Sequence, residues 1–244
     1  MRHKISEPPN PNEIDAVVLC GGLGTRLKKV VSDRPKPMAD INGRPFLELL
    51  LGSIAKFGFR RFVLCAGYMA DSITDFFASK RLPFEVVVSR ESRPLGTGGA
   101  LRNAARLIRS DPFLVANGDS LCAVDLNEFL KFHVLKQAVI SMCVAKTRKS
   151  MEYGAVKLGP DSRILSFSEK AKVTGPVCCN AGIYVFGRKA LSLIPAGKTY
   201  SLEHELFPAL AEKALYGYLS NADILDIGTP RRYEKARRLL KKRL

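Results

Sequence analysis

Short apolar runs alternate with longer amphipathic stretches through the first half of the chain. The runs are rich in β-branched and aromatic residues, a composition typical of buried strands. They lie at residues 15–20, 62–66, 84–88 and 113–116. The stretches between them have apolar residues at helical spacing. They predict helices over residues 45–57, 69–79 and 97–109. Strands separated by such helices predict right-handed βαβ units and a mostly parallel sheet covered on both faces.

The pattern changes near residue 150. Before it, a helix at 126–135 and a strand at 140–145 are predicted. Beyond it, short apolar runs follow one another without a helix between them, which favours antiparallel pairing. These predicted strands lie at 154–158, 164–169 and 177–186. The remaining predictions are helical pieces at 189–193 and 203–213, a strand at 224–227 and a basic helix over 231–244. The expected fold class is α/β, a Rossmann-like, mostly parallel mixed sheet flanked by helices.

The pattern also predicts the domain organisation. Residues 1–13 contain three prolines and no apolar run, so a flexible N-terminal extension is expected there. Residues 14–244 are expected to form a single domain with two lobes, at about 14–149 and 150–230, followed by the basic helix.

Composition narrows the class of protein. The chain is 46% hydrophobic and 25% charged, which is ordinary for a globular protein. No apolar run approaches the ~20 residues that cross a bilayer, and no secretory signal is recognisable, so we expect a cytoplasmic protein with no membrane partner. Six cysteines without a C-x-x-C pair argue against structural zinc and against a disulfide framework.

The formal net charge of +16 is unusual, and part of it lies in the segment RRYEKARRLLKKRL at residues 231–244. An amphipathic helix with a solvated basic face explains this segment. A surface for nucleic acid or acidic membrane is the alternative, and we favour the first interpretation.

The segment GGLG after the first predicted strand is a candidate phosphate loop. It lacks the G-x-x-x-x-G-K-[ST] of a Walker A loop, and Leu27 stands where a dinucleotide loop needs a small residue. Arg26 lies two residues after the last glycine of GGLG, and Lys36 lies between two prolines that restrict its backbone. Backbone amides with an arginine and a lysine favour a polyphosphate ligand.

Two aspartates are predicted at strand ends. Asp119 follows an apolar strand in NGD, and Asp226 lies at the end of a strand in LDIGTP. Each alone is explained by a turn or a cap. Beside a triphosphate loop, the two carboxylates together predict a Mg²⁺ site, because Mg²⁺ is commonly held by one or two carboxylates and substrate phosphates.

A second glycine-rich segment, LGTGGA, precedes a predicted helix. Its glycines Gly96, Gly98 and Gly99 permit close approach to the backbone. A helix start with Thr97 as N-cap is the alternative. Three glycines in four positions exceed what a cap requires, so we favour contact with a ligand.

Taken in order, these segments resemble the sugar-1-phosphate nucleotidyltransferases. The family's G-x-G-T-R and P-K-P stand at residues 22–26 and 35–37. LGTGGA, NGD, SEK, CNAGIYVF and LDIGTP extend the resemblance from residue 14 to about 233. Longer members often have R-[LM]-x-P-L-T after the loop, where this chain has RLKKVVSDRPKPM. That difference, with the opening CGG, most resembles the branch that acts on D-glycero-D-manno-heptose 1-phosphate.

The resemblance implies a role for individual residues. It implies catalysis by Arg26 and Lys36 and a Mg²⁺ cofactor on Asp119 and Asp226. The first lobe would bind the nucleotide, through Leu19, Gly21, Gly22, Gly24, Thr25, Arg26, Gly96, Thr97, Gly98, Asn117 and Gly118. The second would bind the sugar phosphate, through Gly118, Glu169, Lys170, Asn180 and Gly182. Without the resemblance, Glu169, Lys170 and Asn180 would be taken as ordinary polar residues of strands.

The implied reaction is Mg²⁺-dependent transfer of a nucleotidyl group from a nucleoside triphosphate, with GTP favoured, to a sugar 1-phosphate for surface polysaccharide synthesis. The alternatives are a cytidylyl-, uridylyl-, thymidylyl- or mannose guanylyltransferase, a non-catalytic nucleotide-sugar-binding protein and, ranked last, a nucleic-acid-binding protein. The expected partners are the two substrates without nucleic acid, and homo-oligomerisation is left open.

Overall fold

The computed structural model describes residues 9–147, 154–169 and 177–241. The strands in these residues are β1 (Asp15–Leu19), β2 (Asp40–Ile41), β3 (Arg44–Pro45), β4 (Arg61–Ala66), β5 (Glu85–Arg90), β6 (Phe113–Asn117), β7 (Ser120–Cys122), β8 (Ile140–Thr147), β9 (Ala155–Leu158), β10 (Ile164–Ser168), β11 (Val177–Phe186), β12 (Leu215–Ser220) and β13 (Ile224–Asp226). The α-helices are α1 (Phe46–Ala55), α2 (Ala70–Ala78), α3 (Gly96–Asn103), α4 (Leu126–Lys136), α5 (Phe207–Leu210) and α6 (Pro230–Leu240).

The first half of the main sheet is parallel. Strand β1 lies between β4 and β6 and is parallel to both, and β5 continues the sheet beyond β4. Alternate residues of β1, β4 and β6 point to opposite faces of the sheet. Those on one face are buried in an apolar cluster with α1, α2 and α4, and those on the other face in a second cluster with α3 and α5, so helices cover both faces. The predicted βαβ arrangement and the mostly parallel mixed sheet are therefore confirmed.

The second half of the sheet is largely antiparallel. The last residues of β11 pair with β6, and its other edge pairs with β8 along most of its length. The first residues of β11 pair instead with β9, which in turn pairs with β10. One long strand therefore joins the parallel half of the sheet to the antiparallel β9–β10 hairpin.

Strand β12 is absent from the sequence prediction. It lies parallel to β8 in the register Leu215 to Ile140. Gly217 interrupts its apolar pattern, and an interior glycine lowers strand propensity. A Cβ at Gly217 would overlap the side chain of Leu158, so a larger residue there would have to displace side chains of the β9–β10 hairpin that packs on β12.

Several predicted helices are shorter or of another type. The helix predicted over 97–109 ends at Asn103 and continues as a 3₁₀ turn, Ala104–Arg106. The piece at 189–193 is a 3₁₀ helix, Arg188–Leu193. The piece at 203–213 is a π-helical turn, Leu202–Leu206, followed by α5. Short or irregular helices depend on tertiary packing, which periodicity does not report.

Helix α6 packs over the first glycine loop. Tyr233 and Ala236 on its inner face share an apolar cluster with Leu27 of the loop and with Ile227. The Tyr233 hydroxyl donates to the carbonyl oxygen of Asp40 at 2.6 Å. This packing brings the end of β13 and the start of α6 beside the loop. None of the helices in the described parts of the chain is long and apolar enough to span a bilayer.

Candidate active site

The ends of β1 and β6 are in direct contact. Leu19 is in register with Asn117, and the amide of Gly118 donates to the carbonyl oxygen of Leu19 at 3.0 Å. A Cβ at Gly118 would lie 2.8 Å from that oxygen. Only a residue without a side chain fits there, and the close approach places Asp119 beside the glycine loop.

Lys36 and Asp119 form an ion pair at this edge of the sheet. Lys36 begins a 3₁₀ turn, Lys36–Met38, and its ammonium donates to Asp119 Oδ2. Ser120 Oγ donates to Asp119 Oδ1 at 3.0 Å. Burial raises the pKa of Asp119, but Lys36, Ser120 and the nearby Arg26 outweigh burial and hold that pKa below its ordinary value. Asp119 is therefore ionised at neutral pH.

Asp226 lies next to Asp119 because two short strands pair. Strands β7 and β13 are antiparallel with Asp226 opposite Ser120, and the amide of Ile227 donates to the carbonyl oxygen of Asp119 at 3.0 Å. Asp226 is 6% exposed. Its Oδ1 accepts from the amide of Gly228 at 2.9 Å and from Arg232 Nη1 at 3.0 Å.

Arg26 reaches the same place from the glycine loop. A Cβ built on Gly228 would lie 2.9 Å from Asp226 Oδ1 and 3.8 Å from Arg26 Nη2. Within the loop, Gly24 has a φ of +60°, and a Cβ there would lie 2.9 Å from Lys36 Cβ. Gly24 therefore allows the loop to close over Lys36. Leu19 ends β1, while Gly22 and Thr25 are exposed on the outer part of the loop.

The two aspartates fit a metal that arrives with phosphate. Within the described ranges, no group of three or more His, Cys, Asp or Glu side chains could hold a metal ion. Asp119 and Asp226 are two carboxylates from neighbouring segments beside Arg26 and Lys36. Mg²⁺ keeps several waters and is commonly held by one or two carboxylates plus substrate phosphates. The donor set therefore suits Mg²⁺ bound with a nucleotide.

The LGTGGA glycines accommodate the chain's own backbone. Gly96 has a φ of +72°, and a Cβ on it would lie 2.7 Å from the carbonyl oxygen of Tyr200. The amides of Gly98 and Gly99 donate to that oxygen at 2.9 and 3.0 Å. The three glycines thus have a structural explanation, and their contact with a ligand stays a prediction.

Thr97 lies inside the first turn of α3. The N-cap is Leu95, so the alternative interpretation of Thr97 as a cap is wrong. Thr97 Oγ1 instead donates to Glu203 Oε2 at 2.6 Å and accepts from the amide of Leu202 at 2.9 Å. It therefore links α3 to the segment that begins at Ser201.

A cleft contains most of the residues predicted to bind the sugar phosphate. Its lining is mainly polar and comes from α3, β6, β7, β11, β13, the π-helical turn and the two ends of the β9–β10 hairpin. It includes Thr97, Asn117, Gly154, Glu169, Asn180 and Gly182. Gly118 lies next to Asn117, whereas Lys170 lies outside the described residues.

Asn180 shapes the wall of this cleft. Its Nδ2 donates to the Tyr184 hydroxyl at 2.7 Å, and its Oδ1 accepts from the amide of Gly182 at 2.9 Å. Gly182 has a φ of +74°, and a Cβ there would lie 3.0 Å from Asn117 Nδ2. The side chain of Asn180 therefore fixes the irregular turn within β11.

Sequence reasoning missed Glu203 and His204, which also line the cleft. Glu203 accepts from Thr97 and, at 3.1 Å, from Ser201 Oγ. The segment SLEHELF has no local sign of a site, because acidic residues near a helix start are common.

Sequence reasoning also missed Glu91, which lies against the first glycine loop. A Cβ at Gly21 would overlap Glu91 Oε1, so any larger residue there would have to displace the carboxylate of Glu91. Glu91 Oε2 accepts from the amide of Leu95 at 3.2 Å. Its Oε1 is buried without a hydrogen-bond partner among the described residues, and burial raises the pKa of Glu91. A buried carboxylate oxygen without a partner in the described protein calls for a donor from outside it, such as a water, an ion or a ligand.

Comparison with known proteins supports a nucleotidyl transfer site. A family model described as nucleotidyl transferase matches residues 15–243. The chain is 36% identical over 223 residues to a mannose-1-phosphate guanylyltransferase of Mycobacterium tuberculosis, covering 90% of this chain and 62% of that protein. It is 33% identical over 229 residues to a D-glycero-alpha-D-manno-heptose 1-phosphate guanylyltransferase of Aneurinibacillus thermoaerophilus, covering 93% of this chain and 98% of that protein.

A solved structure has the same fold. HddC from Yersinia pseudotuberculosis superimposes with a TM-score of 0.83 at 33% identity, covering 93% of this chain and 99% of HddC. A second structure of HddC, which matches equally well, is complexed with GMP-PN. This chain is thus similar in both length and fold to a nucleotide-binding relative.

Proposed function

The chain belongs to the nucleotidyl transferase family, and we propose that it transfers a guanylyl group from GTP to a sugar 1-phosphate, releasing pyrophosphate. D-glycero-D-manno-heptose 1-phosphate is the favoured sugar, because a relative named for that sugar matches almost end to end. Mannose 1-phosphate is the second candidate, but the chain spans about three fifths of the length of that relative.

The convergence of four charged residues supports this proposal. Arg26 and Lys36 come from the glycine loop and the turn after it, Asp119 follows β6, and Asp226 ends β13. Three contacts bring these residues together: the Lys36–Asp119 ion pair, the pairing of β7 with β13 and the approach of Arg26 to Gly228. Paired carboxylates and cations at one sheet edge suit the transfer of a phosphoryl-type group.

The chemistry needs no nucleophile from the protein. A phosphate oxygen of the sugar 1-phosphate attacks the α-phosphorus of GTP, a new P–O bond forms, and the bond to the β-phosphate oxygen breaks as pyrophosphate leaves. Lys36 would align and neutralise the α-phosphate and the incoming phosphate, and Arg26 would neutralise the leaving pyrophosphate. When bound, Mg²⁺ on Asp119 and Asp226 would supply further neutralisation of the phosphates.

Glu91 supports guanine as the base. A carboxylate accepts hydrogen bonds only, and guanine presents two adjacent donors, N1–H and the 2-amino group. The buried, unpartnered Oε1 of Glu91 beside Gly21 would accept one of them. Cytosine, uracil and adenine lack this pair of donors, so Glu91 would favour GTP over the other triphosphates.

The polar cleft supports a sugar ligand. Glu169, Glu203 and His204 contribute acceptors and a titratable ring to one concave surface next to Asn117. Hydroxyl groups of a sugar are donors and acceptors at once, and a cleft with several acceptors can fix their orientation. Lys170, which lies outside the described residues, is proposed to bind the sugar phosphate.

A pyrophosphate-release panel tests the function. The chain is incubated with Mg²⁺ and each of the common nucleoside triphosphates, paired with heptose, mannose, glucose and N-acetylhexosamine 1-phosphates. We expect release to be fastest for GTP with the heptose 1-phosphate. Release with another pair would assign a different member of the family, and no release with any pair would overturn the proposed activity.

A further inference from the structure

Arg232 is singled out among the basic residues of the C-terminal segment by its position. It lies in the first turn of α6, and its Nη1 donates to Asp226 Oδ1 at 3.0 Å. Its side chain is 18% exposed and that of Asp226 is 7% exposed. The neighbouring Arg231 is exposed. The sequence predicts an amphipathic helix whose basic residues form a solvated face, and Arg232 departs from that prediction.

The start of α6 fixes Arg232 in this position. Thr229 Oγ1 accepts from the amide of Arg232 at 3.4 Å, and Pro230 begins the helix. Tyr233, the next residue, is buried in the apolar cluster that contains Leu27 of the glycine loop, and this packing sets the rotation of α6 about its axis. Arg232 must therefore emerge at the end of β13.

Two guanidinium groups approach the same place. A Cβ built on Gly228 would lie 3.7 Å from Arg232 Nη1 and 3.8 Å from Arg26 Nη2, with Asp226 Oδ1 at 2.9 Å. Both guanidinium groups therefore lie beside the carboxylate of Asp226. Lys36 is held by Asp119. Guanidinium groups bind phosphate oxygens through paired donors, so a polyphosphate at this place would be within reach of both arginines.

From this geometry we propose that Arg232 is a second phosphate-binding arginine, which holds the diphosphate end of the triphosphate together with Arg26. When the phosphates bind, the guanidinium turns from Asp226 to the phosphate oxygens and leaves that carboxylate available to the metal. Before they bind, Arg232 occupies the carboxylate and weakens its affinity for a metal ion. This role rests on the proposed function, because it assigns the diphosphate to the leaving group of that reaction.

Binding of inorganic pyrophosphate without metal tests the phosphate contact. Calorimetry is done on the full chain in EDTA at about 0.15 M salt, which screens distant charges. Arg232→Gln should weaken pyrophosphate binding by about tenfold or more, the effect of losing a charge-assisted hydrogen bond. Arg231→Gln, an equal change of charge one residue away, should change it less than about threefold. Equal weakening by the two variants would overturn the proposal.

Metal binding without nucleotide is the second measurement. Free Mn²⁺ is followed by electron paramagnetic resonance, and Arg232→Gln should bind Mn²⁺ more tightly because Asp226 loses its competing cation. Arg232→Lys should retain weak Mn²⁺ binding. A structural role alone would leave Mn²⁺ affinity unchanged or lower, and that result would also overturn the proposal. Thermal unfolding of each variant shows that it is folded.

Failure of this inference can be told from failure of the proposed function. If the unchanged chain releases no pyrophosphate from any substrate pair, the proposed activity fails, and with it the assignment of the diphosphate to a leaving group. If the unchanged chain is active but Arg232→Gln binds pyrophosphate and Mn²⁺ as Arg231→Gln does, only the role of Arg232 fails.

Discussion

The ammonium group of Lys36 donates a hydrogen bond to the carboxylate of Asp119, 83 residues further along the chain. Lys36 lies between two prolines in a tight turn. Asp119 follows Gly118, and only glycine fits there against the backbone of Leu19. Both backbones are therefore held before any substrate binds. The ion pair therefore holds the ammonium group of Lys36 at the end of β6, where the triphosphate is proposed to lie.

Lys36→Ala is expected to reduce turnover by on the order of a hundredfold or more, as for other lost electrostatic stabilisers. The reason is that the α-phosphate and the incoming phosphate lose the cation that aligns them. Steady-state pyrophosphate release measures the effect. Lys29→Ala, which removes an exposed lysine of the same loop, should retain near-full turnover. Full turnover in Lys36→Ala would contradict the role of Lys36.

The pKa of Asp119 predicts a dependence of stability on pH. Because the folded-state pKa lies below the ordinary value, the ion pair stabilises the fold fully above the ordinary Asp pKa, about 3.9. That contribution is lost as the pH falls through the folded-state pKa. Asp119→Asn should lower the free energy of unfolding at pH 7, and its deficit should shrink below about pH 3.5. Urea unfolding across this range measures it, and a deficit independent of pH would contradict the prediction.

The buried His133 predicts a second dependence on pH, with a different range. Burial lowers the pKa of His133 to about 4, and its Nδ1 is 2.9 Å from Ser141 Oγ. The unfolded chain, with a His pKa of about 6.5, binds the proton more readily, so stability is full above that value and falls as the pH drops towards 4. The loss attributable to His133 is about 3 kcal/mol. His133→Asn should flatten the urea-unfolding profile between pH 6.5 and 4, and an unchanged slope would contradict this cause.

The parallel half of the fold was predictable because its strands are buried on both faces and read as continuous apolar runs. Lys36 and Asp119 could be proposed as site residues for other reasons: Lys36 lies between two prolines, and Asp119 directly follows an apolar strand in NGD. The sequence also predicts that Asp119 and Asp226 act together and that a strand ends at Asp226. It does not predict the pairing of β13 with β7 that joins them, because the three residues of β7 carry too little periodicity to be recognised as a strand.

The glycines of LGTGGA show a different limit. Sequence indicates that something approaches their backbone, but it does not say what. In the structure the approaching group is Tyr200 of the same chain. Glu91 was missed because a single glutamate in a polar loop has no distinguishing pattern. Its significance comes from burial against Gly21, a contact between segments 70 residues apart in the sequence.

Glu91→Gln is expected to lower kcat/KM for GTP by about tenfold or more, because the acceptor that Glu91 offers to guanine becomes a donor. The substituted amide can still accept from the Leu95 amide, so the loop should keep its conformation. The ratio of kcat/KM for GTP to that for CTP, UTP and ATP measures selectivity. Ser92→Ala, at the exposed neighbouring position, is the control. An unchanged ratio in Glu91→Gln would contradict base recognition by Glu91.

Gly118→Ala is expected to lower the free energy of unfolding by about 1–3 kcal/mol, the usual cost of forcing an extra carbon into a packed interior. The new Cβ would lie 2.8 Å from the carbonyl oxygen of Leu19 and 3.1 Å from Cys20 Sγ, and a backbone oxygen in β1 has little room to move. Gly22→Ala is the matched control for stability, since nothing lies within 4 Å of the Cβ it would add. Urea unfolding at pH 7 should show a loss for the first variant alone. An equal loss in both would mean that the contact between the ends of β1 and β6 does not restrict residue 118.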